Sequence, residues 1–211
     1  MGFVNNMPVF KDEVIVIKSI NYREADKILT VVGKNFGKFP ILAKGIRKID
    51  SKNRGNIQTL SASYISFYRN KGMGVLLETK NIFSPDYSCS NLKGIERILS
   101  LLNKCVEEGE TCCDFYEKFL FVLKNGFKDE DVNKFRLFFL KNMGLLPYDS
   151  CSICGSNEYI DFVNLENFEI FCKKCYLNKE HSSELVKIKN FDYVSKNLTN
   201  YIDLYVQKSF F

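Results

Sequence analysis

Four cysteines form the one grouping in this 211-residue chain whose types and spacing define a chemistry by themselves. They read Cys151-Ser-Ile-Cys154, then seventeen intervening residues, then Cys172-Lys-Lys-Cys175. That spacing falls inside the C-x₂-C-x₁₅₋₂₀-C-x₂-C range of zinc sites. Two residues between paired cysteines let a tight turn aim both sulfurs at one ion, and Gly155 eases the first turn. Tyr159–Val163 and Phe168–Phe171 read as two short strands that would return the second pair to the first. Four thiolates complete a tetrahedral shell and leave no position for water, so one structural Zn²⁺ is expected. The plainer alternative is two accidental C-x-x-C runs with reduced, unligated thiols. A zinc hydrolase would need an open metal position and a general base. Four cysteines and the single histidine, His181 in a polar stretch, supply neither. Cys89, Cys105, Cys112 and Cys113 read as filler.

The second grouping is cationic. Residues 1–80 hold 14 Lys+Arg against 6 Asp+Glu, whereas residues 81–211 hold 16 against 19. The net charge of +5 therefore hides a first part at +8 joined to a second at −3, and a polyanion is a candidate partner of the first. The alternative is a solvated surface that favours lysine. The longest apolar run, Phe119 to Leu123, is far short of the roughly 20 residues that cross a bilayer, so no membrane role is expected. The start, Met-Gly-Phe-Val-Asn-Asn, lacks the basic and apolar regions of a secretory signal. A reducing, cytoplasmic setting is the expectation, and it favours metal over disulfides for the paired cysteines.

The elements that must position these groups change period near residue 85. Before it, Val14–Ile20, Lys27–Val32, Lys38–Ala43, Leu60–Tyr68 and Val75–Ile82 read as strands, with turns at 33–37 and 70–74. Pro40 argues for an edge or bulge position in the third. Gly45 to Gly55, with Lys44 just before it, reads as a basic loop with five cations against Asp50. Five short strands suit a small closed barrel; an SH3-like barrel or a small sandwich fits the pattern as well. After it, Leu92, Ile95, Leu99, Leu102 and Val106 mark a helix, and Phe115, Phe119, Val122 and Leu123 a second. Val132, Phe135, Phe139 and Met143 stripe a third, opened by Asp129-Glu-Asp131 and closed near Gly144. Leu198, Tyr201, Ile202 and Tyr205 form the face of a last helix. The expected division is 1–82 for the barrel and 83–211 for a helical domain, with the cysteine module at about 148–178.

Three segments taken in order resemble a known family: Val14-Ile-Val-Ile-Lys-Ser-Ile-Asn-Tyr-Arg-Glu-Ala-Asp-Lys-Ile-Leu-Thr30; Gly37-Lys38 with Ala43-Lys-Gly-Ile-Arg-Lys48, Ser51 and Arg54-Gly55; and Phe135-Arg-Leu-Phe-Phe-Leu-Lys-Asn-Met-Gly-Leu-Leu-Pro147 leading into Cys151. Together they resemble RecO, the bacterial recombination mediator and DNA-repair family. The resemblance implies an α+β protein: an N-terminal OB-fold barrel followed by a helical domain carrying a four-Cys zinc module. It implies binding to single- and double-stranded DNA, annealing of complementary strands, and work with RecR to load RecA. It also implies binding to the acidic C-terminal tail of the single-strand-binding protein, no enzymatic activity, and a cytoplasmic, nucleoid-associated place. Asp50 in the basic loop departs from the pattern and weakens the local field.

On that reading the DNA-binding candidates are Arg23, Lys34, Lys38, Lys44, Arg47, Lys48, Lys52 and Arg54. The Lys44–Arg54 loop and the Lys34–Lys38 turn would form one cationic surface tracking phosphates, on which two strands repel less and can test pairing. Alternation puts Phe39 in the core, while Tyr22 and Phe36 fit either stacking on bases or packing. Nothing resembles a recognition helix, so no base-specific readout is implied. For an acidic-hydrophobic tail, Lys134, Arg136 and Lys141 beside Phe138 are the candidates, against a plain solvated helix face. The alternative function is a zinc-stabilised RNA-binding or transcription-associated adaptor, which an OB-like barrel also suits.

Overall fold

The computed structural model describes residues 8–69, 72–89, 91–109, 113–144, 150–164, 166–178, 185–187 and 195–210. His181, Cys112, the turn residues Asn70 and Lys71, the stretch 145–149, and the side chains of Cys89, Cys113, Leu198 and Tyr201 lie outside what is described. The chain divides into two compact units, 1–127 and 128–211. Among the described residues no helix is long and apolar enough to cross a membrane.

The first unit is built on β1 (Val9–Tyr22), β2 (Asp26–Gly33), β3 (Gly37–Ala43), β4 (Ala62–Tyr68) and β5 (Gly74–Phe83). They close in the order β1-β2-β3-β5-β4, an OB-like barrel. Closure depends on the length of β1: its first half pairs with β4 and its second with β2. A bulge between Val16 and Lys18 lets one strand turn from one neighbour to the other. The last seam is the parallel pairing of Ile41 and Leu42 with Gly74 and Val75. Pro40 lies just before that seam and pairs with Thr30 alone, so its missing N–H breaks no ladder bond to β5.

Alternation fills the interior. Val14, Val16, Leu29, Val31, Phe39, Ile41, Ile65 and Phe67 are buried in one cluster. Phe36 joins Phe10, Phe39 and Phe67 with ring centroids 5.1 to 6.4 Å apart, which makes it a packing residue and removes it as a stacking platform. Gly33 is required where it stands: a Cβ there would lie 2.2 Å from the Asp12 carboxylate. That buried carboxylate accepts the N–H groups of Asn35 and Phe36 and so shapes the β2–β3 turn. Burial raises the Asp12 pKa above the ordinary carboxylate value, against the lowering pull of those donors.

After the short helical turn Tyr87–Cys89 come α1 (Leu92–Cys105) and α2 (Cys113–Lys124), both packed on β1. These two helices therefore group with the barrel. Asn91 caps α1 by accepting the Gly94 N–H at 3.1 Å. The second unit holds α3 (Asp129–Asn142), β6 (Ile160–Asn164), β7 (Ile170–Cys172), α4 (Lys173–Leu177), β8 (Leu185–Lys187) and α5 (Ser195–Phe210). A small sheet runs β7-β6-β8, and α3 packs on α5. Strand β8 is an addition to the two strands expected between and around the cysteine pairs.

Candidate nucleic-acid surface and metal centre

The basic loop is a strap of successive tight turns rather than free chain. The N–H groups of Lys48, Ser51, Arg54 and Asn56 each donate to the carbonyl three residues earlier, at 3.1 to 3.2 Å. Ile46 and Ile57 plug its two ends into the barrel core. Asn53 and Asn56 tie its middle to β5: the Asn53 side-chain oxygen Oδ1 accepts from the Thr79 N–H and hydroxyl, and the Asn56 side-chain amide donates to Thr79. Along this strap Lys44, Arg47, Lys48, Lys52 and Arg54 are all exposed, as is Asp50. The strap is also joined to the β1–β2 turn. The Arg47 N–H donates to the Ala25 carbonyl at 2.9 Å, and the Asp26 carboxylate accepts the Gly45 N–H at 2.7 Å.

Arg23 sits in that turn with a left-handed backbone, φ 52°, and its guanidinium lies 5.2 Å from the Tyr22 ring centroid. Tyr22 keeps partial exposure, so of the three aromatics considered it alone faces outward with the cations. Arg47 and Arg54 share an open cleft with Lys27, Asn21, Gln58 and Tyr87. Neither Lys27 nor Tyr87 carries a signal in the sequence, because only the closure of the barrel brings them to the strap.

The structure separates Lys34 and Lys38 from this surface. They sit at the opposite end of β2, whose eight residues span about 24 Å. Lys38 is 9 % exposed, and its ammonium donates to the carbonyls of Leu102, Asn103 and Val106 at 3.1, 2.8 and 2.7 Å. Those are carbonyls at the C-terminal end of α1, where a helix leaves acceptors unsatisfied and its dipole is negative. Burial lowers the Lys38 pKa below the ordinary lysine value. Lys34 donates to Glu117 of α2 at 2.5 Å, and that hydrogen bond raises its pKa. Both lysines bind helices of their own unit, so one continuous platform from the strap to this turn does not exist.

The four cysteines do converge. The sulfurs of Cys151, Cys154, Cys172 and Cys175 all lie within 4.8 Å of one another, with Cys154 and Cys172 at 3.8 Å. A tetrahedron with metal–sulfur bonds of about 2.3 Å has edges of about 3.8 Å, so the donor set fits one metal ion. Local hydrogen bonds preform it. Gly155, at φ 70°, donates to the Cys151 carbonyl, and the Ser152 N–H reaches Ile170 of β7 at 2.9 Å. The Cys175 N–H points at the Cys172 sulfur at 3.4 Å. Burial opposes ionisation of Cys151, but the N–H groups of Cys172, Cys154 and Ile153 outweigh it and hold the thiol down at about 6. Cys175 is pushed up to about 12, chiefly by its hydrogen bond with Cys154.

The peptide-groove candidates on α3 do not form a groove together. Arg136 is 2 % exposed, with its guanidinium on Asp203 of α5 at 2.5 Å. It stands four residues after Val132 and three before Phe139, on the same buried face. Lys134 is exposed and pairs with Glu130 one turn away at 2.6 Å, Phe138 is half-buried, and Lys141 is exposed.

An OB-like closed barrel followed by helices and a four-cysteine cluster defines the class of this chain. Residues 7–84 match the family model described as Recombination protein O N terminal. The chain is 29 % identical over 176 residues to the DNA repair protein RecO of Syntrophomonas wolfei, covering 78 % of this chain and 69 % of that one. It is 29 % identical over 175 residues to the protein of the same name from Listeria monocytogenes serotype 4b, covering 79 % and 68 %. To that of Desulforamulus reducens it is 31 % identical over 179 residues, covering 80 % and 70 %. The chain belongs to the RecO family, whose members are DNA repair proteins.

Proposed function

We propose that this chain is a DNA repair and recombination mediator that binds single- and double-stranded DNA through the strap and anneals complementary strands. With RecR it helps load RecA onto strands coated by the single-strand-binding protein, whose acidic tail it contacts. The observation that carries this reading is the strap itself: five exposed cations on a segment anchored by two buried isoleucines and two asparagine ties, next to Arg23. Cations fixed in this way track phosphates without reordering, and two strands lying on one such surface repel each other less. No base recognition is needed for that, because pairing itself does the selecting.

The test is a fluorescence annealing assay with complementary oligonucleotides coated by single-strand-binding protein. The chain should accelerate annealing of DNA and do so more than for RNA strands of the same sequence. No acceleration of coated DNA would end the mediator reading, and equal action on RNA would return the adaptor reading. We read the metal as one structural Zn²⁺ held by Cys151, Cys154, Cys172 and Cys175, with no position left for water. Metal analysis of the purified chain should give one zinc per chain in an all-sulfur shell; iron, or fewer than four sulfurs, would overturn that assignment.

A further inference from the structure

The cleft beside the strap has a chemistry that attraction to phosphates alone does not require. Its volume is about 560 Å³, inside the roughly 300–1,000 Å³ of sites that take small molecules. Lys27 of β2 and Arg47 and Arg54 of the strap line it, and no carboxylate lines it among the described residues. Two acids adjoin lining residues in sequence: Asp26 accepts the Gly45 N–H, and Asp86 accepts the N–H and hydroxyl of Ser88. The rest of the polar lining is neutral: the amides of Asn21 and Gln58, Thr59 and the phenol of Tyr87. An amide presents both donors and an acceptor, which suits the edge of a base without a partner, and a phenol ring offers a face for stacking. The Tyr87 hydroxyl donates to the Thr59 carbonyl, which holds the ring at the end of the strap. Since the strap is tied to the β1–β2 turn and to β5, the cleft is built before any ligand enters.

From this we infer that the cleft takes one unpaired nucleotide, its base against Tyr87 and the Asn21 and Gln58 amides and its phosphate against Lys27, Arg47 and Arg54. The inference rests on the strap binding nucleic acid and deepens it. The strap holds the backbone of any strand, whereas the cleft accepts a nucleotide only where a base is free of its partner. A base inside a duplex would first have to leave its stack. The barrel therefore favours unpaired positions over duplex, a preference that phosphate contacts alone do not create.

The test uses the full chain, a single-stranded oligonucleotide carrying one 2-aminopurine, the matching duplex, and free 2-aminopurine deoxyriboside monophosphate. The variant is Gln58→Ala with Tyr87→Leu, which removes no charge; Gln58 is exposed and Tyr87 is 45 % exposed, so the core is left alone. Single-strand affinity should fall about tenfold, as for the loss of one base–aromatic stack. Duplex affinity and both salt slopes should stay as they are. The 2-aminopurine signal and the weak binding of the free nucleotide should both be lost. Unchanged single-strand affinity and signal in this variant, with wild-type salt slopes intact, would overturn the cleft and leave the strap reading standing. Failure of the wild-type chain to bind any strand would overturn the strap reading. The cleft would then stand on Tyr87-dependent binding of the free nucleotide, and fall without it.

Discussion

At one end of the barrel Lys34 and Lys38 reach helices α1 and α2; at the other, Lys44, Arg47, Lys48, Lys52 and Arg54 reach solvent. Both sets are cations, and both lie in or beside turns between strands. What differs is the company each end keeps. The β2–β3 turn meets the C-terminal end of α1, which offers three carbonyls to one ammonium, and a glutamate on α2. Among the described residues the strap is tied to β4, β5 and the β1–β2 turn, and asparagine amides, serine hydroxyls and backbone groups make nearly all those ties. One end thus uses its cations to hold the first unit together, while the other keeps them available. A count of lysines over the first 80 residues sums two unrelated jobs.

The largest effect that separates the ends is on stability. Lys38→Met keeps the unbranched stem of the side chain and removes an ammonium that serves three carbonyls. Hydrogen bonds to a buried charged group contribute about 1.5–3 kcal/mol, and carbonyls left without a donor add to the loss. We expect a stability loss of about 2–3 kcal/mol in denaturant unfolding. The salt dependence of DNA binding should not change. A fall in that slope at wild-type stability would show that Lys38 contacts phosphate and that the two ends are not distinct.

The next effect belongs to the strap. Lys48→Glu with Lys52→Glu should leave unfolding unchanged, because both side chains are exposed. DNA affinity should fall by about tenfold or more. The slope of log affinity against log salt should drop by about 1.4 on single strands and about 1.8 on duplex, as expected for two lost phosphate contacts. A slope that stays at the wild-type value would remove the strap from the interface.

The parts of this contrast that were legible in the sequence are those set by local chemistry. The cysteine module follows from spacing alone, since two residues fix each turn and seventeen allow the chain to return. The five strands follow from alternation and from Gly33 and Gly37 around a turn. Alternation also puts Lys38 on the outer face of β3, correctly. The outside of a barrel is not the outside of the protein, and α1 covers that position. Arg136 fails in the opposite sense: its polar type argues for solvent, while its spacing from Val132 and Phe139 argues for the packed face where Asp203 meets it. Asn53 and Asn56 gave no signal, because their partner Thr79 is more than twenty residues away and is brought near only by β5. Sequence pattern reports which face a residue takes; it does not report what else arrives at that face.

The smallest effect gives the sharpest version of the contrast. Lys34 is bonded to Glu117 but remains partly exposed, with a third of its side chain and half of the glutamate's open to water. If every exposed lysine of the first unit served DNA, Lys34→Ala would lower the salt slope as a strap lysine does. Its position at the far end of β2 and its carboxylate partner argue otherwise. An ion pair this open contributes little, because water screens it and two long side chains must be held still. The expected result is a slight lowering of the melting temperature at low salt that disappears as ionic strength rises, with no change in DNA affinity at either condition. Glu117→Ala provides the reverse arm: it releases the Lys34 ammonium from its bonded partner, and still the salt slope should not increase. An increase would mean that α2 merely withholds a phosphate contact, and that the two ends of the barrel differ in degree and not in kind.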